Sequence, residues 1–136
     1  MSRQATAVWH GAGKDGNGTI TTQSGLLKDA KYSYTTRYED APGTNPEELI
    51  AAAHAGCFTM KLSFVLKEAG FASDSIETKC DITLANNVIT KSHLTVKATV
   101  PGIDKQKFNE CAENAKANCP VSKLLKTDIS MEATLS

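Results

Sequence analysis

The stretch from Asn45 to Gly70 constrains this chain more than any other. Asn45 can cap a helix, Pro46 suits the first helical position, and Glu48 sits where a capping-box carboxylate belongs. From Leu49 to Phe58 the residues are apolar nearly all round, so the helix is expected at the centre of the fold and buried. A thin polar stripe survives at Glu47, His54, Lys61 and Glu68, and Gly70 supplies the stop. The nearly uncharged run, Leu49 to Met60, is shorter than the ~20 residues that span a bilayer, so a core role is expected rather than a membrane one.

The remaining pattern is strand-rich. Ala5 to His10 reads as a strand leading into Gly11-Ala12-Gly13-Lys14-Asp15-Gly16, a literal GxGxxG. A dinucleotide site would need that loop to open a helix. Here Asn17-Gly18 and the β-branched Thr19 to Thr22 follow, which spells a hairpin. Tyr32 to Tyr38 alternates and reads as a further strand, and Asp40 to Thr44 is a turn cluster. Ile76, Thr78, Cys80, Ile82 and Leu84 mark one face of a strand, and the alternation from Val88 to Val100 marks its hairpin partner across Asn86-Asn87. A second helix is expected over Asp104 to Asn118, with Phe108, Cys111, Ala112 and Ala115 on one face. Cys119-Pro120 interrupts it, Val121 to Leu125 gives a further turn or two, and Ile129, Met131 and Ala133 give a last strand. This order predicts an α+β fold with two main helices packed on one antiparallel-rich sheet, in a single domain over 1–136.

Fifteen Lys and Arg balance fifteen Asp and Glu in 136 residues, so no basic excess is left for nucleic acid. Met1-Ser2-Arg3-Gln4 leads into no apolar signal core. Four cysteines without such a signal point to a reducing compartment, and a cytoplasmic protein is expected.

The cysteines differ by context. Cys80 and Cys111 lie on apolar faces and read as small core residues. Cys57 lies in mid-helix, three residues after His54 and on nearly the same face. Cys119 precedes Pro120 at a helix break. For Cys57 three readings stand: a further core cysteine, a metal site shared with His54 and Cys119, or a reactive thiolate with Cys119 as partner. The last needs a nearby cation, with His54 the local candidate and Arg37 a distant one. His54 itself reads equally as a hydrogen-bonded or partly solvated member of the polar stripe.

Asn45-Pro46-Glu47-Glu48-Leu49-Ile50, then Ala52-Ala53-His54-Ala55-Gly56-Cys57-Phe58, then Cys119-Pro120-Val121-Ser122 closely resemble the OsmC/Ohr family of cysteine-based peroxidases. The resemblance covers essentially the whole chain, and His54 with Pro120-Val121-Ser122 leans to the OsmC branch. Gly56, where Ala is common, is a departure that weakens the helix slightly. The resemblance implies that Cys57 is the peroxidatic cysteine, attacking the peroxide and becoming a sulfenic acid, and that Cys119 resolves it as a disulfide. It implies that Arg37 stabilises the thiolate and that Glu47 holds Arg37 in place. It also implies an intertwined homodimer, activity on organic hydroperoxides in oxidative or osmotic stress, a dithiol reductant of lipoyl type or similar, and no metal or other cofactor.

Glu47 and Cys57 are ten residues apart on one expected helix, about 15 Å along its axis. An unbroken helix therefore keeps them out of one small site within one chain, which a dimer resolves. A redox-sensing or binding module that uses the same two cysteines without efficient turnover is the alternative reading.

Overall fold

The glycine-rich loop does turn the chain back on itself. In the computed structural model, which describes residues 1–136, β1 (Ala5–His10) passes through a 3-10 turn at Gly13–Asp15 into antiparallel β2 (Asn17–Thr22). The Trp9 ring covers the returning strand. A Cβ on Gly16 would lie 2.5 Å from Trp9 Nε1, and one on Gly18 would lie 2.6 Å from the Tyr32 ring. These two glycines make room for an indole, not for a phosphate.

The strand expected over Tyr32 to Tyr38 ends early. β3 is Ala30–Tyr32, paired with β2, and Tyr34–Tyr38 forms the one-turn helix α1. Ser33 is the cause. Its hydroxyl accepts from the Thr36 N–H at 3.4 Å, while its own N–H donates to Thr36 Oγ1 at 2.7 Å. A reciprocal cap of this kind outweighs the strand preference of the alternating Tyr and Thr residues.

Helix α2 runs unbroken over Pro46–Glu68. Asn45 caps it through Oδ1, which accepts from the Glu48 N–H at 2.8 Å, and its Nδ2 donates to the Thr36 carbonyl at 2.9 Å. The Glu48 carboxylate accepts from the Thr44 hydroxyl instead of completing a capping box with Asn45. At the far end Gly70 takes φ 94°, and the N–H groups of Gly70 and Phe71 return to the carbonyls of Lys67 and Leu66. That is a Schellman stop, which a left-handed glycine makes possible.

Burial of α2 is one-sided, contrary to the all-round expectation. Phe58, Leu62, Val65 and Leu66 face inward, whereas Ala52, Ala53, Gly56, Met60 and Phe64 lie exposed. The polar stripe also turns inward at its start: Glu47 is 9% exposed and His54 is fully buried. At 23 residues, longer than its uncharged run, α2 is long and apolar enough to cross a membrane by length and composition alone, yet its inner face is built into a protein core.

The backbone divides into two units, Met1–Leu49 and Ile50–Ser136. The first holds the sheet β1-β2-β3 and α1, with every residue of β1 exposed and no buried hydrophobic cluster. The second holds β4 (Ser75–Ala85), β5 (Val88–Thr99), α3 (Lys105–Asn118), α4 (Pro120–Leu124) and β6 (Asp128–Leu135). β4 and β5 form the expected hairpin through Asn86 and Asn87, both at positive φ, and β6 joins β5 in parallel. The one sheet expected is thus two three-stranded sheets. The Asp104 carboxylate caps α3 by accepting from the Lys107 N–H at 2.7 Å.

The hydrophobic core belongs wholly to the second unit. It joins the inner face of α2 to Leu94, Val96, Ala98 and Val100, and to Phe108, Cys111, Ala112, Ala115 and Cys119. Leu94→Ala, at a fully buried position on the central strand, is expected to lower unfolding stability by about 2–5 kcal/mol in urea titration.

Candidate active site

Two clusters of polar side chains, one in each unit, contain every candidate residue. In the first unit the one-turn helix α1 carries Arg37 and the first turn of α2 carries Glu47. Arg37 meets the carboxylate with two nitrogens: Nη2 lies 2.7 Å from Glu47 Oε1, and Nε lies 3.0 and 3.2 Å from the two oxygens. The forked guanidinium matches the planar carboxylate, which fixes its direction as a lysine could not. The hydrogen bond to Glu47 is the largest effect raising the Arg37 pKa, so the group is a permanent cation. Glu47 is largely buried while Arg37 keeps 39% of its side chain exposed, so the cation is held without being sealed in. Arg37 also lines a cavity of about 180 Å³ with Trp9, Tyr32, Tyr34, Tyr38 and Pro46. A fixed cation beside aromatic rings suits a ligand with one polar and one apolar end.

In the second unit the structure brings Cys57 and Cys119 together. The Cys57 thiol interacts with the Cys119 thiol and with the backbone N–H of Val121. Both cysteines are free thiols; Cys57 is half-buried, Cys119 fully buried. Burial pushes the Cys57 thiol pKa up. The Val121 N–H and the charge of Lys61 pull it down and the neighbouring Cys119 pushes it further up, with a net rise. Among these groups only Lys61 brings a positive charge, so the thiolate needs a further cation to be well populated.

Cys119 occupies a junction. Its N–H closes α3 on the Ala115 carbonyl, and its sulfur caps α4 by accepting from the Ser122 N–H at 3.4 Å. The hydroxyl of Ser122 lies 3.1 Å from the same sulfur. Pro120 at the first position of α4 has no N–H to satisfy, which suits the sharp change of direction.

His54 is neither a partly solvated residue of the stripe nor a free ligand. Its ring is fully buried, with Nδ1 2.6 Å from Ser92 Oγ and Nε2 2.8 Å from Ser122 Oγ. Both nitrogens are committed to hydroxyls, which removes the metal reading that joined His54, Cys57 and Cys119. Burial holds the His54 pKa below its ordinary 6.5. Cys111 is a core residue as expected, but Cys80 is only half-buried, and its sulfur lies 3.3 Å from Ser92 Oγ. Ser92 and Ser122 are partners that the sequence reading did not assign. The signal for Ser92 was present: a hydroxyl among the inward positions of β5, where Leu94, Val96 and Ala98 are apolar.

A family model described as OsmC-like protein matches residues 39–134. The chain is 47% identical to Peroxiredoxin OsmC of Escherichia coli over 139 aligned residues, covering 99% of this chain and 97% of the relative. It is 30% identical to Organic hydroperoxide resistance protein OhrB of Bacillus subtilis over 121 residues, covering 87% and 88%. The crystal structure of that OhrB superposes with a TM-score of 0.68 at 26% identity, over 100% of this chain and 98% of that one. An OsmC-like protein from Vibrio cholerae superposes at 0.78 with 16% identity, over 98% and 99%, which is a likeness of fold.

The buried histidine predicts a pH dependence of stability. Because the folded His54 pKa is depressed, the unfolded chain binds one proton more between that value and about 6.5. Stability is therefore expected to fall as pH drops below about 6.5, by at most about 1.4 kcal/mol per pH unit for this one group. Urea titrations at stepped pH read the slope, and His54→Gln is expected to remove this contribution.

Proposed function

Since the chain belongs to the OsmC-like protein family, we propose that it is a cysteine-based peroxidase in which Cys57 reduces hydroperoxides and Cys119 resolves the product. The observation that carries this reading is the meeting of the Cys57 and Cys119 thiols in the reduced protein. In the first step the Cys57 thiolate attacks the distal peroxide oxygen. The O–O bond breaks as the S–O bond forms, and the departing alkoxide takes up a proton to leave as an alcohol. Cys119 then condenses with the sulfenic acid to form a disulfide, and a dithiol of lipoyl or similar type restores both thiols. The aromatic cavity beside Arg37 supports organic hydroperoxides as the better substrates, with hydrogen peroxide weaker. The reducing cytoplasm is the compartment that suits four free thiols.

Arg37, oriented by Glu47, is the cation proposed to stabilise the Cys57 thiolate and the charge developing on the peroxide oxygens. Glu47 and Cys57 are ten residues apart on the unbroken α2, about 15 Å along its axis. We therefore assign the Arg37–Glu47 pair to the Cys57 of a partner subunit in a homodimer. Two features support a dimer: a first unit with no hydrophobic core of its own, and an exposed α2 face with Met60 and Phe64 more than half exposed. The two units are taken as parts of one OsmC-like domain, since the Escherichia coli relative aligns with 99% of the chain.

Cys57→Ser is expected to abolish dithiol-dependent consumption of cumene hydroperoxide. Cys119→Ser is expected to support one turnover to the Cys57 sulfenic acid, which excess peroxide then oxidises to sulfinic acid detected by mass spectrometry. Arg37→Ala is expected to raise the Cys57 pKa, read from the pH dependence of iodoacetamide labelling. It should also slow peroxide reduction roughly 10²-fold, with partial recovery at alkaline pH. Unchanged activity in Cys57→Ser would refute the assignment.

The dimer is tested separately. Phe64→Asp is expected to shift the protein to monomer in sedimentation and to lose activity with it. Mixed dimers of a Cys57→Ser chain and an Arg37→Ala chain are expected to show activity well above that of either parent.

A further inference from the structure

Five side chains of the second unit form one hydrogen-bonded chain that the peroxide attack leaves unused. Cys80 Sγ lies 3.3 Å from Ser92 Oγ, which lies 2.6 Å from His54 Nδ1. His54 Nε2 lies 2.8 Å from Ser122 Oγ, which lies 3.1 Å from Cys119 Sγ. His54, Ser92 and Cys119 are fully buried and Ser122 is 8% exposed. Burying an imidazole and two hydroxyls is costly unless each is satisfied, and here no buried side-chain nitrogen or oxygen lacks a partner. Two arrangements of the protons satisfy the chain, one donating from Cys119 towards Cys80 and the other donating back. In the first, the Cys119 thiol donates to Ser122, Ser122 donates to His54 Nε2, and His54 Nδ1–H donates to Ser92.

We infer that Ser122 and His54 form a proton relay for Cys119, with Ser122 touching the reacting sulfur and His54 the base behind it, and that the relay acts when the disulfide closes. This rests on the proposed reading of Cys57 as the oxidised thiol and Cys119 as its partner. Closure requires Cys119 to give up its proton, and the fully buried thiol has no bulk water to receive it. The proton passes from Cys119 to Ser122 Oγ as the Ser122 hydroxyl proton passes to His54 Nε2. The freed sulfur pair forms the S–S bond while the S–O bond of the Cys57 sulfenic acid breaks. The departing hydroxide becomes water with the one proton equivalent that His54 held. The sum is Cys57–SOH plus Cys119–SH giving the disulfide and one water. Burial keeps the resting imidazole neutral, so its acceptor lone pair is available. The Ser122 N–H, 3.4 Å from the sulfur, supports the charge that develops there.

Single-turnover kinetics test the relay. Reduced protein is mixed with one equivalent of cumene hydroperoxide; dimedone traps the sulfenic acid, and N-ethylmaleimide quenching followed by mass spectrometry counts the disulfide. In His54→Gln and Ser122→Ala the ratio of closure rate to sulfenic-acid formation rate is expected to fall about 10²-fold, the scale of a lost general base. Ser122→Thr, which keeps the hydroxyl, is expected to restore the ratio, and deuterium oxide is expected to slow closure in the wild type. An unchanged ratio in the folded variants, no recovery in Ser122→Thr, or wild-type closure indifferent to deuterium oxide would each overturn the relay. Should His54→Gln not fold, the two Ser122 variants and the wild-type isotope effect decide. A wild-type protein that forms sulfenic acid but no Cys57–Cys119 disulfide would overturn the proposed function itself, a distinct result.

Discussion

A neutral imidazole can remain in a protein interior only when its donor and its acceptor are both matched, and His54 meets that condition with two serines far apart in sequence. Ser92 belongs to the central strand β5 and Ser122 to the short helix α4, so one side chain of α2 ties three elements together. The tie is directional, unlike the apolar packing around Phe58 and Leu62. Hydrophobic contact alone holds a helix against a sheet but tolerates small slides along it. Two bonds of 2.6 and 2.8 Å to fixed hydroxyls set the position of α4 against α2, and with it the Cys119 sulfur that begins α4. The meeting of Cys57 and Cys119 depends on that placement.

What could be read from the residues alone follows a physical division. Helices α2 and α3 and the β4–β5 hairpin were legible because their signals are local: caps, a glycine stop, alternation, and Asn86-Asn87 at the turn. The split at Tyr32 was not read, although its cause is also local, because Ser33 and Thr36 sit inside a convincing strand alternation and the reciprocal cap only appears when both are seen as a pair. The count of sheets was not legible at all. Pairing partners depend on long-range contacts, and β6 lies parallel to β5 after a crossover through α3 and α4.

The site divides the same way. Cys57 and Cys119 were picked out by context and Arg37 and Glu47 through resemblance, yet the fork joining the last two is a matter of tertiary geometry. His54 was placed on a polar stripe and taken to be open to more than one role. Its burial reverses the usual sense of such a stripe, because the polar residues face matched partners while alanines, Gly56, Met60 and Phe64 face outward. An amphipathic pattern tells which residues share a face, but not which face is covered.

The double duty of Cys119 has a consequence for how the protein breathes. Its sulfur is the side-chain acceptor capping a helix of only five residues. Oxygen caps contribute on the order of 1 kcal/mol and a sulfur acceptor less, but so short a helix has little else to keep its first turn formed. The disulfide proposed for this sulfur would turn it from the Ser122 N–H and leave the first turn of α4 weakly held. Amide exchange across Val121 to Leu125 would then become a readout of sulfur oxidation state. The segment that would loosen is the one beside the proposed bond that a reductant must reach, so oxidation would itself soften the path to its own reversal.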